Sequence, residues 1–177
     1  MLEHDVKEQS ILTGIFDDRE SAERAYNALK ERGYTDDEIN IMMSDETHKK
    51  QFDKIKGKTE FGNKAMEGTG AGAAIGGTIG AVVGIIAALG TSLIIPGLGI
   101  VIAGPIAAGL AGAGAGGVTG GLIGALIGMG IPEERARLYE SGIKKGKIVI
   151  GVHPRNEEDA KFFEDNWRSN RGQDIIK

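Results

Sequence analysis

The chain contains no cysteine among its 177 residues, and only 5% of its residues are aromatic. Without cysteine it has no disulfide framework, no thiolate metal site and no cysteine nucleophile. Basic residues are also scarce relative to acidic ones, with 21 Lys and Arg against 25 Asp and Glu and a formal net charge of −4. This balance argues against a nucleic-acid-binding protein whose affinity comes from neutralising phosphates.

Charge is missing altogether from the middle third of the chain. The 64 residues from Gly68 to Ile131 carry no charged side chain, and 21 of them are glycine. All charged residues and all three histidines therefore lie in the two flanks. The first ten residues are polar, so we expect no secretory signal peptide and place the flanks in the cytosol.

The first flank has the pattern of a strand, a helix and a second strand. Its polar and glycine residues supply the helix start and stop signals. The predicted elements are a strand over Ile11–Phe16, a helix that begins at Asp17-Asp18 and ends at Gly33, a capped turn over Thr35–Glu38, and a strand over Ile39–Met43.

The second flank repeats this plan. Its predicted elements are a strand over Lys147–His153, a helix opened by Asn156 and closed before Gly172, and a short strand over Asp174–Ile176. Two βαβ halves of similar size predict an α+β fold, a ferredoxin-like sandwich with a four-stranded antiparallel sheet and helices on one face. We therefore divide the chain into residues 1–45 (first half), 46–67 (basic linker), 68–131 (insertion) and 132–177 (a helix plus the second half).

The insertion carries two ladders of glycine at a spacing of four. They consist of Gly68, Gly72, Gly76, Gly80 and Gly84, and of Gly112, Gly116, Gly120, Gly124 and Gly128. Residues four apart share one face of a helix, so each ladder predicts a groove that another backbone can approach closely. Glycine costs about 1 kcal/mol per residue in a water-exposed helix. A lipid environment, where unpaired peptide groups are costly, would favour such helices nonetheless.

These ladders predict a glycine-zipper hairpin of two membrane helices, Ala71–Leu93 and Ile106–Met129. Each is just long enough for a bilayer core of about 30 Å. The predicted turn between them contains Pro96, Gly97, Gly99 and Pro105 and no polar side chain. If both flanks join one sheet, the insertion must return to the side of the membrane where it started. A helical hairpin buried inside a soluble oligomer, or a flexible tract, is the alternative.

Basic residues on both sides of the insertion agree with cytosolic flanks. The predicted membrane-interface residues are Lys54, Lys56, Lys58, Lys64, Arg135 and Arg137. The segment that carries these lysines would lie against anionic headgroups or serve as a solvated linker. Tyr139, on a helix over Pro132–Gly142, would lie in the headgroup region or pack against the sheet.

No pattern in the chain indicates catalysis, a cofactor or a metal. Residues 112–117 match GxGxxG, but they lack the preceding strand and the acidic residue that a dinucleotide site needs. The histidines are not spaced as metal ligands are. The carboxylate pairs at Asp17-Asp18 and Asp36-Asp37 stand where helices begin, which favours capping over acid–base chemistry.

Four segments resemble the bacterial general stress protein family, in its small, glycine-rich, membrane-associated members. They are Gly14–Glu23, Ile95–Gly99 with Ala103–Pro105, Ile131–Glu140 and Gly142–Ile150. The resemblance implies a role in stress or envelope physiology, without an enzymatic mechanism and without catalytic residues.

Together these patterns predict a non-enzymatic protein of the bacterial inner membrane, with its soluble domain on the cytosolic side. Its expected partners are the lipid bilayer and further copies of itself, bound through the glycine zipper. Two other functions stay open: a conduit carrying a lipid-like molecule such as a quinone to a partner complex, and a regulatory ligand-binding module.

Overall fold

The computed structural model describes residues 10–53, 93–95, 99–112, 121–128 and 130–177. The strands within them are β1 (Leu12–Phe16), β2 (Ile39–Ser44), β3 (Leu93–Ile95), β4 (Ile100–Ala103), β5 (Ile148–Val152) and β6 (Gln173–Ile176). The α-helices are α1 (Arg19–Glu31), α2 (Asp45–His48), α3 (Pro105–Gly112), α4 (Gly121–Gly128), α5 (Glu133–Lys144) and α6 (Glu157–Ser169). A 3₁₀ turn (Asp36–Glu38) precedes β2, and a π-helical turn (Lys49–Asp53) follows α2.

The strands form one antiparallel sheet in the order β3-β4-β2-β5-β1-β6. The four strands contributed by the flanks are adjacent, because β5 pairs with both β1 and β2 and β1 pairs with β6. Val152 of β5, for example, lies opposite Leu12 on one side and Ile39 on the other. The predicted α+β fold, with an antiparallel sheet packed against helices, is confirmed.

Short-range signals set the elements of the flanks much as the sequence predicts. The Asp18 side chain accepts a hydrogen bond from the backbone N–H of Ser21 at 2.8 Å and so caps α1. Asn156 caps α6 in the same way, accepting from the N–H of Asp159 at 2.7 Å. Gly33, with φ of +80°, takes the left-handed conformation that follows many helices.

The first face of the sheet is covered by α1 and α6, which supply Tyr26, Phe163 and Trp167 to the aromatic core. Trp167 is fully buried and contacts Phe16 edge to face, with 5.9 Å between ring centroids. Gly14 of β1 leaves room for this indole, since a Cβ there would stand 2.9 Å from a Trp167 ring carbon. The two halves of the chain therefore share one core, although their sequences are more than a hundred residues apart.

The second face is covered as well, by α3, α4 and α5. Its core combines strand residues with helix residues: Ile15, Met42, Ile100, Ile102 and Val149 with Ile106, Leu110, Leu122, Leu126, Tyr139 and Ile143. The prediction of helices on one face only is therefore wrong. The reason is visible in β4 and β5, which are buried at every position. A strand apolar along its whole length needs cover on both faces.

Where the structure describes it, the segment predicted as the turn between two membrane helices, residues 94–105, contributes strands to the sheet. Strand β4 pairs with β2, placing Ala103 opposite Ile41, and β3 pairs with β4. The segment is rich in isoleucine and valine, whose branched side chains favour strands. A short apolar run of this kind fits a buried strand as well as a membrane segment.

The predicted helix over Ile106–Met129 is not continuous. It begins as α3, but Gly121 has φ of +63°, which departs from the negative φ of a regular α-helix and interrupts it there. Helix α4 starts at that glycine and ends at Gly128. The first predicted membrane helix lies outside the described residues except for Leu93, which belongs to β3. None of the helices described is both long and apolar enough to cross a bilayer.

Candidate interaction site: the uncharged layer over the sheet

The uncharged layer, defined as α3 and α4, is the part of the insertion that the structure places against the sheet. Asn40 of β2 holds α3 there. Its fully buried side chain accepts a hydrogen bond from the backbone N–H of Ile106 at 2.8 Å and donates to the carbonyl of Gly151 at 3.4 Å. The first turn of α3 thus receives its cap from a residue 66 positions earlier in the chain.

Gly104 brings the backbone at the start of α3 into direct contact with β2. It has φ of +93°, and a Cβ at this position would lie 2.1 Å from the carbonyl oxygen of Ile39. Only glycine satisfies both the conformation and the space. The end of β4 and the start of α3 are therefore fixed on the sheet by one glycine and one asparagine.

The layer has a buried inner side and an exposed outer side. The inner side consists of Ile106, Ala107, Leu110, Leu122 and Leu126. The outer side consists of Ala108, Gly109, Ala111, Ile127 and Gly128. Ile127 is 43% exposed, and it is one of the two large hydrophobic residues that stand out to solvent in the described part of the chain. This outer side presents small and aliphatic groups without any charge.

The ladder glycines of α4 point to that outer side. A Cβ built on Gly124 or Gly128 meets no atom within 4 Å, as far as the described residues are concerned. Gly112 ends α3. The other ladder glycines, Gly68, Gly72, Gly76, Gly80, Gly84, Gly116 and Gly120, lie outside the described residues. Close packing of another backbone along the ladders stays a prediction.

The predicted turn residues occupy two separate places. Gly99 has φ of +61° and leads into β4, and its carbonyl accepts a hydrogen bond from the N–H of Asp45 at 2.7 Å. Pro105 is the first residue of α3, a position that suits its fixed φ and missing N–H. Pro96 and Gly97 lie outside the described residues.

The two predicted interface arginines have different surroundings. Arg137 is exposed and pairs with Glu133 one helical turn away, at 2.5 Å. Arg135 is half-buried and donates to the hydroxyl of Thr13 at 3.4 Å, while its buried Nε has no acceptor among the described residues. The predicted interface lysines, Lys54, Lys56, Lys58 and Lys64, lie outside the described residues.

Tyr139 packs against the sheet, which decides between the two positions expected for it. Its ring is fully buried, and its hydroxyl is hydrogen-bonded to Thr13 of β1. The Thr13 hydroxyl also donates to the carbonyl of Ile176 at 3.2 Å. Tyr139 therefore joins α5 to β1 in the second core.

A polar network that the sequence did not reveal joins the two flanks at the end of the sheet. The buried carboxylate of Asp159 accepts from Arg32 at 2.5 Å and from the Tyr34 hydroxyl at 2.8 Å. Arg155 pairs with Glu38 at 2.9 Å and lies over the Tyr34 ring, 4.2 Å from its centroid. The partners are more than a hundred residues apart in sequence, so no local pattern signals them.

The electrostatics of this network agree with its geometry. Burial, followed by the nearby charge of Asp159, raises the pKa of the Tyr34 hydroxyl, although the N–H of Arg155 opposes the shift. The pKa of Glu38 is lowered by the N–H of Thr35 and then by Arg155. All five side chains have partners within the network, which binds the two flanks together.

Residues weighed as chemical groups have structural surroundings here. Asp18 caps α1, and Asp36 accepts hydrogen bonds from Tyr26 and from Lys30. His48 stacks on the buried ring of Phe52. Across the described residues, no three acidic or histidine side chains cluster as metal ligands do.

Comparison with protein-family models, curated proteins and solved structures finds no match for this chain. The resemblance to the general stress proteins stays a prediction.

Proposed function

We propose that this chain is a non-enzymatic protein that self-associates through the uncharged layer. One observation carries the proposal: the outer side of α3 and α4 is apolar, exposed and free of charge. Elsewhere in the described residues the exposed helix surfaces are lined with ion pairs, such as Arg24–Glu20 on α1 and Lys144–Glu140 on α5. Uncharged surfaces that contrast with the rest of a protein mark interaction sites.

The chemistry of the outer side favours another helix as its partner. Glycine and alanine leave a flat surface on which a second backbone can approach closely, and Ile127 adds a side chain to fill the space between helices. Neither helix carries a polar or charged side chain for a polar ligand to bind. A second copy of the layer supplies such a helix.

We also propose that the flanks form the ferredoxin-like domain that the sequence predicts. In support, their four strands lie in the order β2-β5-β1-β6, with α1 and α6 on one face. That is the arrangement of two interlocked βαβ halves. The uncharged layer and α5 are then an addition that covers the face this fold usually leaves open.

Membrane association is the second part of the proposal. The two points at which residues 54–92 join the domain limit how this segment can enter a membrane. Phe52 is buried in the first core and Leu93 lies in β3, so residues 54–92 leave and re-enter one domain. A single membrane crossing would place Phe52 and Leu93 on opposite sides of the membrane, although both belong to this one domain. Two crossings need about 40 residues of apolar helix before any turn, whereas the uncharged part of this connection, residues 68–92, has only 25 residues. We propose that the uncharged run within it enters one leaflet of the inner membrane on the cytosolic side.

The mass of the purified protein tests self-association. We expect the wild-type chain to be oligomeric in light scattering and Gly128→Leu to shift it toward the monomer. A leucine should fit within the monomer, because nothing described lies near a Cβ at Gly128. Lys161→Leu, on the exposed side of α6, is the matched control and should leave the mass unchanged. A monomeric wild type at all concentrations contradicts the proposal.

Native mass measurement also separates this function from the lipid conduit. A self-associating protein gives masses that are multiples of the chain alone. A conduit gives additional mass from a lipid-like molecule that persists after detergent exchange.

A further inference from the structure

The two edges of the sheet differ, and the difference points to a second interaction surface. Strand β6 forms one edge and β3 forms the other. Any edge strand presents unpaired N–H and C=O groups that can pair with another strand, and proteins commonly protect such edges with charges or irregular backbone.

The β6 edge is protected in both ways. Its pairing with β1 is irregular, and Asp174 within it has φ of +46°. Polar groups crowd its first residue: Gln173 bonds to Lys147 at 2.7 Å and to Asp17 at 2.6 Å. A second strand would have to displace these groups.

Among the described residues, no such protection is found at the β3 edge. Its residues are Leu93, Ile94 and Ile95, and within the described chain only β4 pairs with them. Ile94 is 56% exposed, compared with 43% for Ile127, the other large hydrophobic residue exposed to solvent in the described part of the chain. It lies opposite Val101 in the β3–β4 pair, and Val101 is fully buried in the first core. Residues opposite each other in a strand pair lie on the same face of the sheet, so Ile94 lies on the face of the first core, at its solvent-exposed edge.

The charges near this edge favour a second copy as the partner. Helix α2 adjoins β4 through the bond between Asp45 and Gly99. The two lysines that follow α2 are paired with its carboxylates, Lys49 with Asp45 and Lys50 with Glu46, each at 2.5 Å. An uncharged edge beside neutralised ion pairs neither repels its own copy nor attracts a charged peptide.

We infer that β3 pairs antiparallel with β3 of a second copy, joining two sheets across a twofold axis. In a three-residue strand this pairing places Ile94 opposite Ile94, so the two exposed side chains cover each other at the end of the first core. The inference deepens the proposed self-association by adding an edge contact that does not use the uncharged layer.

Disulfide trapping in the full chain tests the contact, because the protein has no cysteine of its own. Opposite residues in antiparallel strands have Cβ atoms about 5 Å apart, close to what a disulfide requires. We expect Ile94→Cys to form a covalent dimer under mild oxidation, at a protein concentration where Lys161→Cys, on the exposed side of α6 and outside both contacts, forms much less. Ile94→Lys should raise the dissociation constant of the dimer about tenfold or more, as charge does on an edge strand. Far-UV circular dichroism checks that both variants fold.

The outcomes separate this contact from the uncharged layer. Three results together would overturn the edge pairing and keep the proposed function. The oligomer would be unaffected by Ile94→Lys, Ile94→Cys would give no covalent dimer, and Gly128→Leu would dissociate the oligomer. A wild type that is monomeric at every concentration overturns both. Should Ile94→Lys fail to fold, the conservative Ile94→Cys variant decides alone.

Discussion

At the scale of single residues, glycine has two different roles in this chain. Gly124 and Gly128 leave a surface open, while Gly104 allows two backbones to touch. The sequence predicted the first role from the spacing of four. It did not predict the second, because the partner of Gly104 is a backbone carbonyl of β2 and no spacing rule connects them.

Replacing Gly104 and Gly99 by alanine separates conformational strain from steric conflict. Both have positive φ, but no described atom lies within 4 Å of a Cβ at Gly99, whereas Gly104 would meet the Ile39 carbonyl oxygen. We expect Gly99→Ala to cost about 1–2 kcal/mol from the left-handed conformation alone. Gly104→Ala should cost about 3 kcal/mol or more, because backbone must also move. Urea unfolding measures both, and equal losses would contradict the close approach at Gly104.

At the scale of elements, the flanks were predictable and the insertion was not. Helices α1 and α6 carry their own start signals, Asp18 and Asn156, each three residues from the group it caps. In the insertion, α3 is capped by Asn40 from a distant strand, and β4 is buried on both faces. A strand covered by helices on both faces and a membrane segment are both rich in apolar residues. The hydropathy pattern alone therefore led to the prediction of a membrane segment.

Asn40 therefore decides whether the uncharged layer stays on the sheet. Asn40→Ala leaves the N–H of Ile106 buried without its acceptor, which we expect to cost about 1–3 kcal/mol. The loss should be local as well as global: the amides at the start of α3 should exchange hydrogen faster than those of α6. Asn27→Ala, on α1, removes a half-buried asparagine that makes no such bond in the described part and should change little.

If the amides of α3 keep their protection in Asn40→Ala while the whole domain loses stability evenly, the asparagine supports the sheet in general and does not anchor the layer.

At the scale of the whole molecule, the described residues contain what a folded domain needs. Two apolar cores lie on opposite faces of one sheet, and the network around Asp159 joins the flanks that the insertion separates in sequence. Residues 54–92 are attached to this domain at both ends. We therefore expect the domain to fold without them, so that a role in membrane binding would be an addition to it.

Replacing residues 54–92 by a Gly-Ser linker of about a dozen residues, flexible and able to span roughly 20 Å, tests that separation. We expect the shortened chain to unfold cooperatively in urea and to keep the edge and layer contacts, but to lose its flotation with anionic vesicles. A second variant, in which only 54–67 is replaced, retains the uncharged run and removes the basic residues before it. If the uncharged run enters the leaflet, this variant should still float, with weaker binding at low salt because the electrostatic attraction is gone. Equal loss of flotation in both variants would place membrane binding in the lysines instead, and an unfolded shortened chain would show that residues 54–92 belong to the core.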